Sequence, residues 1–209
     1  MSEVALFASE AEAERVAQRV AEAERGTAGE IVVAVARRSS DYGTERALFT
    51  LLWTLGGALL GYFFLPQLPE LWLLYAELPL ALLGWWLSAL PAVLRRCVPV
   101  AAQRAAVHAR AQQLFLEQGV TETRQRSGVL LFLSEAERRM ELLADRGIHE
   151  RVGGEVWQSL VDAASSAIHD GHAADGVCAA VDSIGHALAR HFPPESDDRN
   201  ELPDAPTRV

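Results

Sequence analysis

Two short polar loops hold much of what could do chemistry in this chain. Ser39-Ser40-Asp41 follows one strand-like run, and Ser134-Glu135-Ala136-Glu137-Arg138 follows another. Loops at the ends of parallel strands are the usual ligand-binding edge of an α/β sheet. Carboxylates there could hold a divalent cation or act as a base, and an arginine could meet negative charge on a substrate. The same residue types also fill ordinary solvated turns, so both readings stand.

Elsewhere the candidates are thinner. His169 and His172, with Asp170 and Asp175 close by, have a spacing that could bind a metal, although histidines near a helix C-terminus are favourable without one. Asp145-Arg146 reads as a structural pair at the opposite end of the sheet, and His186 and His191 read as surface residues. Cys178 falls on the apolar side of a helix, as packing would place it. Two cysteines exclude a disulfide scaffold and a four-cysteine zinc site. Lysine is absent, which excludes Schiff-base lysines and the P-loop lysine. There is no Gly-x-Gly-x-x-Gly after a strand, no His-Glu-x-x-His and no Gly-x-Ser-x-Gly. A net charge of −9 argues against a nucleic-acid-binding surface.

The elements that must position these residues are interrupted by an apolar block at residues 47–94. Ala47 to Pro69 carries no charge and neither does Leu78 to Leu94; Glu70 and Glu77 are the only acids between. Apolar stretches of about 20 residues match the hydrocarbon core of a bilayer. We read two spans, Leu48–Leu65 and Leu71–Leu94, joined by the tight turn Pro66-Gln67-Leu68-Pro69-Glu70. Trp53, Trp72, Trp85 and Trp86 lie in the block, and Tyr62 and Tyr75 flank its turn, where amphipathic rings favour the interface. Glu77 reads as an acid near the outer interface.

Arginines set the orientation. Arg37, Arg38 and Arg46 precede the first span, Arg95, Arg96, Arg104 and Arg110 follow the second, and the turn has none. The positive-inside rule then predicts a multi-pass inner-membrane protein with both termini in the cytoplasm. The opening residues are rich in Glu and Arg and lack the apolar core of a cleavable signal. The expected partners are the bilayer and another membrane protein, with no nucleic acid.

Outside the hairpin the pattern alternates. Ser9-Glu10-Ala11-Glu12 fits a capping box, with Ala13, Val16, Ala17 and Val20 forming an apolar stripe behind it. Glu30–Ala36 is a β-branched run typical of a buried strand. Residues 99–118 predict a helix with Gly119 as C-cap, Gly128–Leu133 a second strand, and Met140–Asp145 a third. Two helices follow, one carrying Val156, Leu160, Ala164 and Ala167, the other Val177, Val181, Ile184 and Leu188. The first two strands should be parallel and the second and third antiparallel. The fold class is therefore α/β, a small layered domain with an inserted two-helix transmembrane hairpin. Its parts are residues 1–46, the hairpin 47–94, the remainder 95–192, and a disordered tail 193–209.

Three segments carry a resemblance. They are Gly29-Glu30-Ile31-Val32-Val33-Ala34-Val35; Gly128–Leu133 with Glu137-Arg138-Arg139 and Asp145-Arg146-Gly147-Ile148; and His169-Asp170-Gly171-His172-Ala173-Ala174-Asp175-Gly176. In order and spacing they resemble the TPM domain family, which includes thylakoid lumen phosphatase-like proteins, photosystem II repair factors and a receptor modulator. The resemblance spans about residues 9–190. It is closest to bacterial membrane-embedded members, whose tails are similar to Asp198-Arg199-Asn200-Glu201-Leu202-Pro203-Asp204.

The resemblance implies an α/β/α sandwich and two functional readings. One is a weak metal-dependent phosphoric monoester hydrolase using a divalent cation, Ca2+ or Mg2+. The other is a non-catalytic accessory factor that assembles or stabilises another membrane protein. In the family the turn between the paired strands often reads Asp-Asp-Arg, so Glu137 and Arg138 take those positions here. Glu137, Arg138 and Asp41 are then the candidate catalytic residues, and Glu135, Glu137 and Asp41 the candidate metal ligands. The segment Asp145-Arg146-Gly147-Ile148-His149 departs from the family in lacking its second glycine. Because the first loop leads into the first span, a site there would favour lipid-linked or membrane-protein substrates.

Overall fold

In the computed structural model the described residues are 10–67, 69–149, 151, 173–194 and 200–209. They fall into two units, one made of the residues up to Ser39 and from Ala105 onward, the other of Ser40–Arg104. The helix carrying Val156 and the residues His169, Asp170 and His172 lie outside the described residues, as does Ser9 of the capping box.

The first unit is a mixed α/β domain. Its described elements begin with α1 (Glu10–Glu24) and β1 (Glu30–Ala36). After the second unit the chain returns through α5 (Val100–Glu117), a 3-10 turn at Val120–Glu122, β2 (Gly128–Ser134), β3 (Arg139–Ala144), α6 (Arg146–His149), α7 (Ala173–His191) and β4 (Thr207–Arg208). The sheet order is β3-β2-β1-β4. β1 and β2 are parallel, from Glu30 opposite Gly128 to Ala36 opposite Ser134, and β2 and β3 are antiparallel.

Both central strands are buried along their whole length, because helices cover both faces. Ile31, Val33, Val35, Val129, Leu131 and Leu133 pack under Val16 and Val20 of α1 and Val177, Val181, Ile184 and Leu188 of α7. Val32, Ala34, Leu130 and Phe132 face Val107, Ala111 and Leu114 of α5. A strand covered on both faces reads as an unbroken apolar run, which is why β1 and β2 stand out in the sequence. β3 sits at the edge and is only half-buried; Met140, Leu142 and Ala144 reach the first layer by alternation. Gly119 ends α5 in the left-handed conformation at φ 66°, as a C-cap glycine does. At Gly128 a Cβ would lie 2.3 Å from the carbonyl oxygen of Val120, so β2 can start under the 3-10 turn only with glycine there.

The tail differs from the sequence expectation. Residues 193–209 carry no apolar run, yet Thr207 and Arg208 pair in parallel with Ala34 and Val35 and add the fourth strand. Backbone groups make this pairing, so composition did not announce it.

The second unit holds α2 (Gly43–Phe64), α3 (Glu70–Ser88) and α4 (Pro91–Cys97). α2 and Leu71–Ser88 of α3 are long and apolar enough to cross a membrane. Almost all of their large side chains are exposed, Phe63 and Leu78 by about 70%. The two helices pack through small residues: Gly57 lies against Leu80 and Gly84 against Trp53. The second apolar helix ends earlier than its hydropathy suggests. Leu90 is extended at ψ 131°, as the residue before a proline prefers, and Pro91 opens α4. Gln103 is buried and its amide donates to the carbonyls of Arg95 (3.1 Å) and Val98 (2.9 Å), satisfying groups left over where α4 ends.

Candidate functional site

The β2–β3 turn is built on a buried carboxylate. Because β1 and β2 run in register, the residues leaving each strand emerge side by side. The N–H of Glu135 donates to the carbonyl of Ala36 at 3.0 Å, and that of Ala136 to Arg37 at 2.9 Å. Glu137 then turns inward and is only 3% exposed. Its Oε1 accepts the backbone N–H of Ser39 at 3.2 Å, and its Oε2 accepts the hydroxyl of Ser134. The hydroxyl of Ser39 in turn donates to Ser134 at 2.9 Å. A buried carboxylate is tolerable when donors meet it in this way.

Arg138 follows, exposed, with φ 51°. The left-handed region costs a non-glycine residue about 1 kcal/mol. Its N–H closes the turn on the carbonyl of Glu135 at 3.2 Å.

Of the residues predicted to converge, the structure therefore joins Ser39, Ser134 and Glu137, and carries Glu135 and Arg138 on the same turn. Asp41 is exposed and belongs to the second unit, two residues before α2. Ser39 of the same loop reaches Glu137 through its backbone N–H. Among the described residues no group of three His, Cys, Asp or Glu side chains is placed to hold a metal ion. Calcium and magnesium need about six oxygen ligands. The two oxygens of Glu137 are turned to an N–H and an O–H donor, so this carboxylate does not fit the role of a cation ligand as it stands.

At the other end of the sheet Asp145 is buried. Its Oδ1 accepts the N–H of Arg146 at 2.6 Å at the start of α6. Cys178 is half-buried against the first core layer, and that burial pushes its thiol upward.

Two titratable groupings escaped the sequence reading. His108 of α5 places Nδ1 2.9 Å from Oε1 of Glu141 on β3, and its Nε2 lies 3.0 Å from Nε2 of Gln112. Strand parity carried the signal: Glu141 points to the α5 face, whereas Met140 and Leu142 point to the other. The second grouping sets the carboxyl of Glu24 in the field of Glu30 and of Asp204, the latter about 180 residues away, and no local pattern could reveal it.

Residues 97–187 match the model of the TPM domain. The TPM match begins at the last residue of α4 and takes in α5, β2, β3 and the turn bearing Glu135, Glu137 and Arg138. It does not extend over β1 or the two apolar helices. A solved structure, the NMR structure of BA42 protein from the psychrophilic bacterium Bizionia argentinensis sp. nov., is similar in fold. It has a TM-score of 0.61 and 18% identity over 96% of this chain and 94% of that one. At that identity the likeness is one of fold alone. No curated protein matches the chain.

Proposed function

We propose that this chain is an integral membrane protein of the inner membrane. In this reading α2 and α3 form a transmembrane hairpin, and a TPM-like domain lies on the cytoplasmic side. The domain serves as a non-catalytic accessory factor that assembles or stabilises another membrane protein. The observation that carries the membrane assignment is the apolar surface of α2 and α3, exposed along both helices. Soluble monomers rarely expose more than a few hundred Å² of continuous apolar surface, whereas lipid covers such a surface without cost. The accessory role is supported by Glu137, whose carboxylate is occupied in holding the β1 and β2 loops together.

A second reading, a weak phosphatase, is favoured by Arg138. It is exposed beside Glu135 and held in a backbone conformation that costs energy, and such strain concentrates at functional positions. The deciding experiment is hydrolysis of a generic phosphate monoester by the detergent-purified full-length protein, across pH, with calcium, magnesium, manganese or chelator. The accessory reading expects no turnover. Metal-dependent turnover that disappears in Arg138→Ala would establish the phosphatase instead.

A further inference from the structure

The register of the sheet gathers arginines at one of its ends. Ala36, the last residue of β1, stands opposite Ser134, and Ser134 stands opposite Arg139, the first residue of β3. Arg208 of β4 pairs one position earlier, with Val35. Arg37 and Arg38 follow β1 directly, and Arg138 closes the turn before β3. Neighbouring strands lie about 4.8 Å apart, so the four strand ends set these five arginines on a front about 15 Å wide. No run of basic residues in the chain is longer than two. The cluster is therefore made by pairing strands that are distant in sequence.

The charge at this end runs against that of the chain. Within the α/β unit five arginines stand there with two glutamates, Glu135 and Glu137, in a chain whose net charge is −9. Glu137 is buried and already accepts from Ser39 and Ser134. The opposite end instead gathers Glu24, Glu30, Asp145 and Glu201 around the starts of β1 and β2. Arg37, Arg38, Arg138 and Arg208 are exposed, and Arg139 is half-buried. Nε of Arg139 is buried and has no hydrogen-bond partner among the described residues. A buried donor without an acceptor is uncommon, and an anion on this front is an acceptor of the kind it lacks.

We propose that this arginine front binds the phosphodiester headgroups of anionic phospholipids. Guanidinium groups suit the role, since their forked donors match phosphate oxygens and they never lose their charge. The lipid source follows from the tether. Arg38 stands five residues before α2 begins at Gly43, a stretch of at most about 18 Å. The proposal rests on the reading of α2 and α3 as a transmembrane hairpin entered from the cytoplasmic side. The tether then keeps the front close to the cytoplasmic leaflet, where anionic lipids attract basic residues over about a Debye length.

The test is the thermal midpoint of the full-length protein in a neutral detergent at low salt, followed by circular dichroism. Phosphatidylglycerol, phosphatidylcholine or inorganic phosphate is added at equal concentration. Phosphatidylglycerol should raise the midpoint by about 3 °C or more beyond phosphatidylcholine, as a ligand of the folded state does. The triple variant Arg138→Gln, Arg139→Gln, Arg208→Gln should lose at least half of that gain. Arg126→Gln, Arg146→Gln and Arg190→Gln together remove the same charge near the opposite end and should keep it. Each gain is read against the same variant without lipid, so a change in basal stability does not enter. Equal gains with the two lipids overturn the proposal, as does a gain unchanged in the first triple variant. An equal gain with inorganic phosphate assigns the front to free phosphate and overturns the lipid assignment. Retention of the protein in phosphatidylcholine vesicles through alkaline carbonate reports the hairpin separately. Loss of retention overturns the hairpin reading and this proposal with it, whereas retention without a phosphatidylglycerol effect overturns this proposal alone.

Discussion

The backbone N–H of Ser39 donates to Oε1 of Glu137 at 3.2 Å, across nearly 100 residues of sequence. With the Ser134 hydroxyl on the other oxygen, this carboxylate fastens the end of β1 to the β2–β3 turn. Glu137→Ala removes the acceptor from two donors and should destabilise the α/β unit by about 1–3 kcal/mol. Denaturant unfolding followed by circular dichroism checks it. Unchanged stability would mean that the carboxylate is held for something other than structure.

Arg138 gives a test with the opposite sign. At φ 51° glycine is at ease where arginine is strained. Arg138→Gly should therefore raise stability by about 1 kcal/mol, the cost of the left-handed conformation. A stabilised variant that loses partner binding or activity would identify the arginine side chain as the reason the strain is kept. A destabilised variant would show that the side chain makes contacts worth more than the strain.

Much of the sheet was legible because burial on both faces leaves continuous apolar runs at Glu30–Ala36 and Gly128–Leu133, and both became strands. Gly119 announced the end of α5 for an equally local reason. β4 was not legible, since Thr207 and Arg208 are held by main-chain bonds that any side chains permit. The candidate site was half legible. The sequence brought the first loop, Ser39 to Asp41, to the second, but it left Glu137 as either a metal-ligating acid or a solvated turn residue and did not foresee its burial. Turn acids are usually solvated; here Ser134 supplies a local donor and the register of β1 with β2 brings the second, from Ser39, so the carboxylate is buried.

The pH dependence of stability follows from Glu24. Its folded value, about 8, lies above the ordinary 4.5. The folded state therefore holds a proton that the unfolded chain has released, and stability falls as pH rises through this window. Its contribution is complete below about 4.5 and gone above about 8. Thermal melts at pH 6 and pH 8.5 should show a lower midpoint at the higher pH, and Glu24→Gln should narrow the gap. An equal gap in the variant would assign the effect elsewhere.

Within the hairpin unit, Arg46 near the start of α2 grips the end of α3. Its Nε donates to the Ser88 hydroxyl at 3.1 Å, a terminal nitrogen donates to the Trp85 carbonyl at 3.3 Å, and the guanidinium stacks 4.3 Å from the indole of Trp85. Arg46→Ala should loosen this end of the hairpin by about 1–2 kcal/mol. Arg46→Lys should recover only part of it, because an ammonium cannot make the forked contact and stack at once. Melting in detergent, followed by tryptophan emission, reads the order wild type, Lys, Ala. Equal melting points would make the contact ornamental.

The hairpin assignment itself is tested most directly by cysteine accessibility in intact cells. In a background of Cys97→Ser and Cys178→Ser, Gln67→Cys marks the turn between α2 and α3. Wild-type Cys97, kept alone, marks the far end beyond α3. A membrane-impermeant maleimide added outside should label position 67 and leave Cys97 unlabelled until the cells are opened. Labelling of Cys97 from outside, or release of the protein from membranes by alkaline carbonate, would contradict a two-span hairpin with a cytoplasmic domain.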